Sequence, residues 1–167
     1  TFRNPSLAEI RELLRASRTI AVVGISDDPA RPSHGVTTSM RDFGYRILPV
    51  NPALAEWQGI PAHPTLAAAV QALGPDERID IVNVFRRPAQ VDTLVDECLR
   101  LGLHTLWLQQ GVINEPAAER AVADRCERGD HACQSLTGLE ERRAVDRHAD
   151  DEHAVAQPGH QHATGGR

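Results

Sequence analysis

Thr19-Ile-Ala-Val-Val-Gly24-Ile-Ser-Asp-Asp-Pro-Ala-Arg31-Pro-Ser33-His-Gly-Val-Thr-Thr-Ser-Met-Arg41 decides the fold. Ile20 to Val23 is an unbroken apolar run rich in β-branched residues, the pattern of a strand buried on both faces. Gly24 ends it, where the backbone must turn sharply or let another group come close. Ser26 to Pro32 is polar, carries two prolines and reads as a loop. Ser33 then stands as the expected N-cap of a helix with Val36, Met40 and Phe43 at helical spacing, and Gly44 closes it. A strand, a small-residue loop and a helix N-terminus in this order form the opening unit of a nucleotide-binding α/β fold.

Helices and strands flank this unit on both sides. Pro5 to Arg15 is expected to be a helix capped by Asn4, with Leu7, Ile10 and Leu14 on one face. Downstream, Arg46 to Val50 reads as a second strand, with Pro49 expected close to its end. Residues 57–64 read as irregular, apart from a short strand around Ile60 to Ala62. Thr65 caps a short alanine-rich helix that Gly74-Pro75 stops. Ile79 to Phe85 is a third strand. Pro88 opens a helix whose Val91, Leu94, Val95, Cys98 and Leu101 share a face, and Gly102 ends it. Thr105 to Leu108 is a fourth strand, and Asn114 caps a further helix with Ala118, Ala121 and Val122 inward. Alternating strands and helices at this spacing predict an α/β fold: a Rossmann-like, doubly wound parallel sheet in a single three-layer domain.

From Gly129 the composition changes to Arg, Asp, Glu, His, Gly and Gln, with no visible fifth strand. The expected organisation is therefore a domain over residues 1–128 and a divergent, poorly ordered tail over 129–167. His148, His153, His160 and His162 fall in that tail and are read as solvated residues, so no metal site is expected.

Composition narrows the function. A net charge of −5 over 167 residues argues against nucleic acid as the partner. No apolar run approaches a membrane span, and the three cysteines lack framework spacing, so the expected location is the cytoplasm. All 18 basic residues are arginine. Without lysine there is no Schiff-base chemistry and no Walker-type phosphate loop, and a phosphate would have to be held by arginines, hydroxyls or backbone N–H groups.

Ligands of such sheets bind at the carboxyl ends of the strands. The residues there are Gly24, Ile25, Ser26 and Arg31-Pro32-Ser33 after the first strand, Asn51-Pro52 after the second, Arg86-Arg87 after the third and Gln109-Gln110-Gly111 after the fourth. Three arginines, two hydroxyls, amides and a helix N-terminus suit an anionic ligand bearing phosphates. The dinucleotide fingerprint is absent: Gly24-Ile25-Ser26 replaces Gly-x-Gly, and Val50-Asn51 lacks the acid that would hold a ribose. No catalytic constellation emerges either, since no acid is placed to orient His34 and there is no nucleophile elbow.

Five motifs together carry a resemblance: Val22-Val-Gly-Ile-Ser26, Arg31-Pro-Ser33, Gly44-Tyr-Arg-Ile-Leu-Pro-Val-Asn-Pro52, Val84-Phe-Arg-Arg-Pro88 and Trp107-Leu-Gln-Gln-Gly-Val112. Over roughly Pro5 to Arg128 the chain resembles the CoA-binding domain family of small Rossmann-like bacterial and archaeal proteins, similar to the CoA-binding domain of the succinyl-CoA synthetase α subunit. The resemblance implies that Gly24, Ile25 and Ser26 lie against the phosphates of coenzyme A. It implies that Arg31, Pro32 and Ser33 close the loop and that Asn51 and Pro52 border the adenosine half. Val84, Phe85, Arg86 and Arg87 would flank the nucleotide, and Gln109, Gln110 and Gly111 would face the pantetheine. The chain departs from the family at His34-Gly35. Asp124-Arg125-Cys126 matches the letters of a family ending but falls too soon after Gln109 to be that ending. The implied function is a non-catalytic carrier, sensor or regulator of CoA or an acyl-CoA. The expected partners are an acyl-CoA enzyme or, across an exposed sheet edge, a second copy in a homodimer. The rival readings are an NAD(P)- or other nucleotide-binding enzyme, and an interaction module that has lost its ligand.

Overall fold

The computed structural model describes residues 5–109 and 134–137. Helix α1 (Leu7–Ala16) begins at Ser6, whose hydroxyl accepts from the Glu9 N–H while the Glu9 carboxylate accepts from Ser6. This capping box replaces the expected Asn4 cap, because Glu9 stands three residues after Ser6 and can return the bond. Strand β1 (Thr19–Val23) follows, then α2 (Pro32–Asp42), β2 (Arg46–Val50), a hairpin of β3 (Glu56–Trp57) and β4 (Ile60–Pro61), and α3 (Leu66–Gln71). Next come β5 (Ile81–Val84), a 3-10 turn at Pro88–Gln90, α4 (Val91–Arg100), β6 (Thr105–Leu108) and β7 (Gln134–Thr137).

The main sheet runs β2-β1-β5-β6-β7 with every pair parallel. The fold is Rossmann-like α/β, as the alternating pattern predicts. Strand β7 corrects the expectation that no fifth strand follows Arg128. Its sequence is Gln-Ser-Leu-Thr, with a single large apolar residue. It lies at the end of the strand order, where one side of the ladder needs no partner and a continuous apolar run is not required. Strand β2 is the other end of that order, which accommodates Pro49 opposite Val22. The helix expected from Asn114 lies outside the described residues.

Alternation along the strands splits the core in two. Ala21, Val23, Val82, Val84, Leu106 and Leu108 face α3 and α4, where Leu66, Ala69, Val91, Leu94, Val95 and Cys98 meet them. Ile20, Val22, Ile81 and Trp107 face the opposite way, toward Ile10 and Leu14 of α1 and Met40 of α2. Cys98 is fully buried in the first layer, and burial, with the Glu97 charge beside it, pushes its thiol up to about 12. It is a small core residue, as its helical position predicts.

The amino ends of the strands are tied together by one carboxylate. Asp80 Oδ2 accepts from the N–H groups of Arg18 at 2.7 Å and Thr19 at 3.1 Å, and Oδ1 accepts from Arg78 Nε at 2.7 Å. Burial pushes the Asp80 carboxyl up, but these three donors outweigh it and hold the group below the usual aspartate range. A depressed carboxylate stabilises the fold above its unfolded pKa, and that stability is lost as pH falls through the folded value. Asp80→Ala should therefore cost about 1.5–3 kcal/mol at pH 7. Urea unfolding should show the gap to the parent protein closing below about pH 4. A gap that stays constant down to pH 2 would show that the charge contributes nothing.

Candidate functional site

The strand order reverses between β1 and β5. From β1 the chain passes to α2 on one face, and from β5 it passes to α4 on the other, so a crevice opens outside the carboxyl ends of these two strands. Two bonds continue the ladders past the strands. The Gly24 N–H donates to the Val50 carbonyl at 2.9 Å, and the Phe85 N–H donates to the Val23 carbonyl at 2.8 Å. Gly24 sits at φ +84°, and a Cβ placed on it would lie 2.4 Å from the Phe85 carbonyl oxygen. Only glycine lets the two strand exits come this close. The aliphatic stem of Arg86 lies against the same spot, its Cδ 3.2 Å from that Cβ position.

The loop after Gly24 is held by its own polar groups. Ser26 Oγ accepts from the Asp28 N–H at 3.2 Å, and Asp28 Oδ1 accepts from the Ala30 N–H at 2.9 Å. Helix α2 starts earlier than the sequence suggests: Arg31 is its N-cap and Pro32 its first residue. Proline needs no N–H there and its fixed φ suits the helix, which displaces Ser33 from the cap. Ser33 is instead 4% exposed, and its Oγ accepts from the Ser26 N–H at 3.2 Å, drawing the loop onto the helix.

A second device fixes the loop from outside. The β3–β4 hairpin, which reads as largely irregular in sequence, inserts the fully buried Trp57 beneath it. The indole N–H donates to the Ser26 carbonyl at 3.2 Å. His34 stands edge-on to the Trp57 ring with centroids 5.8 Å apart, and the Arg41 guanidinium lies 5.9 Å from the ring centroid. Gln58, at the hairpin tip, donates to Thr38 Oγ1, lies 3.1 Å from His34 Nε2 and accepts from Arg41. Nothing in the local sequence announces this anchoring except one tryptophan among small and polar residues.

The sequence-derived residues divide by what their side chains do. Gly24, Ser26, Ser33, Phe85 and Arg86 converge on the junction of β1 and β5. Ile25 and Val84 are fully buried in the two core layers, so they meet the crevice only through their backbone. Asn51 is spent on structure: Nδ2 donates to the Ile25 carbonyl at 2.7 Å and Oδ1 accepts from the Ala53 N–H at 2.9 Å. It joins the exits of β1 and β2 where a dinucleotide fold would carry its ribose acid. Pro52 and Pro32 are exposed. Arg31 is exposed, with Asp28 3.9 Å away, and such a loose surface pair contributes little. Arg86 is half-buried and Arg87 exposed, and neither guanidinium has a carboxylate partner among the described residues. Gln109 Nε2 donates to Asn83 Oδ1 at 2.7 Å. Gln110 and Gly111 lie outside the described residues.

Known proteins place this arrangement in a group. A family model described as "CoA binding domain" matches residues 18–138. The Bacillus subtilis (strain 168) protein YneT, described as uncharacterized, is 47% identical over 116 residues, which cover 70% of this chain and 82% of that one. Among solved structures, cell-free ID.343 from Thermus thermophilus superposes with a TM-score of 0.68 at 32% identity, over 84% of this chain and 99% of its own. A hypothetical protein from Pyrococcus horikoshii OT3 gives a TM-score of 0.71 at 24% identity, over 88% of this chain and 96% of its own, and speaks to the fold alone.

Proposed function

We propose, since the chain belongs to the CoA binding domain family, that it binds coenzyme A or an acyl-CoA at the β1–β5 crevice and acts as a carrier, sensor or regulator. The observation that carries this reading is the pair Arg86-Arg87. It stands directly after the central strand β5, beside Gly24, with no carboxylate to neutralise it among the described residues. Two uncompensated guanidiniums at a topological switch point suit a ligand with several phosphates. The α2 N-terminus adds the positive end of a helix dipole on the facing side. Asn51 favours this reading over a dinucleotide enzyme, because its side chain is already committed to Ile25 and Ala53 and carries no charge for a ribose. In this reading the domain extends to Gly138, one residue beyond β7, and residues 139–167 lie outside it. No helix among the described residues is long and apolar enough to cross a membrane.

A thermal-shift panel tests the proposal. CoA at about 100 times its dissociation constant should add about 2.7 kcal/mol of stability. For a domain of this size that is a rise of roughly 5–10 °C in Tm. NAD and ATP should leave Tm unchanged. Stabilisation by NAD with CoA inert would overturn the reading.

A further inference from the structure

The layer between α2 and the sheet is not wholly apolar. The face that α2 buries is Ser33, Thr37 and Met40. Ser33 bonds the loop at its top, and Met40 Sδ lies 3.6 Å from Asn83 Nδ2 lower down. Thr37 sits between them, fully buried, and its hydroxyl has no hydrogen-bond partner among the described residues. Its neighbours behave otherwise: Thr38 and Ser39 donate back to the carbonyls of His34 and Gly35. Trp107 is 4% exposed on β6, in register with Asn83 and in the same core layer as Met40, and among the described residues its indole N–H also lacks a partner. Asn83 is fully buried on the central strand, with only a thioether sulfur facing its NH2 group among the described residues.

Buried polar groups without partners cost enough that folded proteins rarely keep them, and two in one layer point to an occupant. The groups offered are mostly donors: an indole N–H, an amide NH2 and a hydroxyl. None of them is charged, and burying an anion among neutral donors without a counter-charge is costly. We propose that Thr37 Oγ1 and Trp107 Nε1, with the Asn83 amide, form a buried neutral site for a single uncharged oxygen acceptor beneath α2. Two sources share this chemistry. One is an ordered water, which commonly makes about three hydrogen bonds to such groups. The other is the thioester carbonyl of an acyl-CoA reaching in from the crevice past Gln109, which bonds Asn83. The second source rests on the coenzyme A reading and the first does not.

Thr37→Val separates an occupied site from an empty one by the sign of its effect. If an oxygen is bound, the variant loses a hydrogen bond and Tm falls by about 2–4 °C. If the hydroxyl is a true orphan, removing it relieves a penalty and Tm rises, which overturns the proposal. Calorimetry with CoA and acetyl-CoA then identifies the source. An unchanged ratio of the two affinities in the variant assigns water. A loss of about tenfold for acetyl-CoA relative to CoA assigns the carbonyl. If neither ligand binds the parent protein, the coenzyme A reading fails while the Tm test still decides the site. Crystals of the parent protein, free and with acetyl-CoA, give a second measurement should the variant not fold. An oxygen within hydrogen-bond distance of both Thr37 Oγ1 and Trp107 Nε1 in either crystal supports the site, and an empty site in both overturns it.

Discussion

Gly24→Val is expected to lower the melting temperature by about 4–20 °C and to abolish CoA-dependent stabilisation. Two costs add at this residue. A side chain at φ +84° is strained, by about 1–2 kcal/mol. The new Cβ would also lie 2.4 Å from a backbone carbonyl oxygen, which cannot swing aside as a side-chain tip would. Overpacking of this kind costs about 1–3 kcal/mol, occasionally more. Together they consume a large fraction of a total stability of about 5–15 kcal/mol. Gly44 supplies the control. It too has positive φ, at +93°, but none of the described residues comes within 4 Å of where its Cβ would stand. Gly44→Ala should therefore show the strain alone, about 1–2 kcal/mol. Differential scanning calorimetry of both variants checks this. Equal shifts would mean that the approach of β1 to β5 is not what requires Gly24.

Replacing the paired arginines should strike binding instead of folding. Arg86→Ala and Arg87→Ala should each weaken CoA by about 10- to 150-fold, the range of a charged hydrogen bond of about 1.5–3 kcal/mol. Arg87 is exposed, so its loss should leave the free protein within about 0.5 kcal/mol of the parent. Arg86 should cost somewhat more without ligand, because its stem packs where the two strand exits meet. Adjacent residues sharing one ligand need not act additively, so the double variant measures their coupling. Titration calorimetry giving parental affinity for both single variants would move the phosphates away from β5.

The buried strands are plain in the sequence because a strand covered on both faces is largely apolar: Ile20 to Val23 is an unbroken run, and Ile81 to Val84 is interrupted only by Asn83. α4 is equally plain, since Val91, Leu94, Val95 and Cys98 recur at helical spacing and are all buried. α2 is harder. Its apolar residues Val36, Met40 and Phe43 suggest one face, but the face it buries is Ser33, Thr37 and Met40, two of them polar. Periodicity counts apolar residues, so it misplaces a helix that turns hydroxyls toward the sheet. The short edge strand β7 escapes for a related reason, its pairing being settled by neighbours far away in sequence. For the site, the strand exits are legible because topology brings them together whatever their residues. The Trp57 anchor and the Asn83–Gln109 bond are not, because each joins groups more than 25 residues apart through side-chain geometry.

The buried thiol of Cys98 has a use in time-resolved terms. A thiol raised to about 12 and wholly covered reacts only when α4 lifts from the sheet or the domain opens. With Cys126 and Cys133 changed to serine, its labelling by a disulfide reagent becomes a clock for those openings. At low reagent the rate reports the free energy of opening, and at high reagent it reaches the opening rate itself. In the coenzyme A reading, added CoA should slow that clock at low reagent by the factor with which it favours the closed state, so ligand affinity would be read from the far face of the sheet.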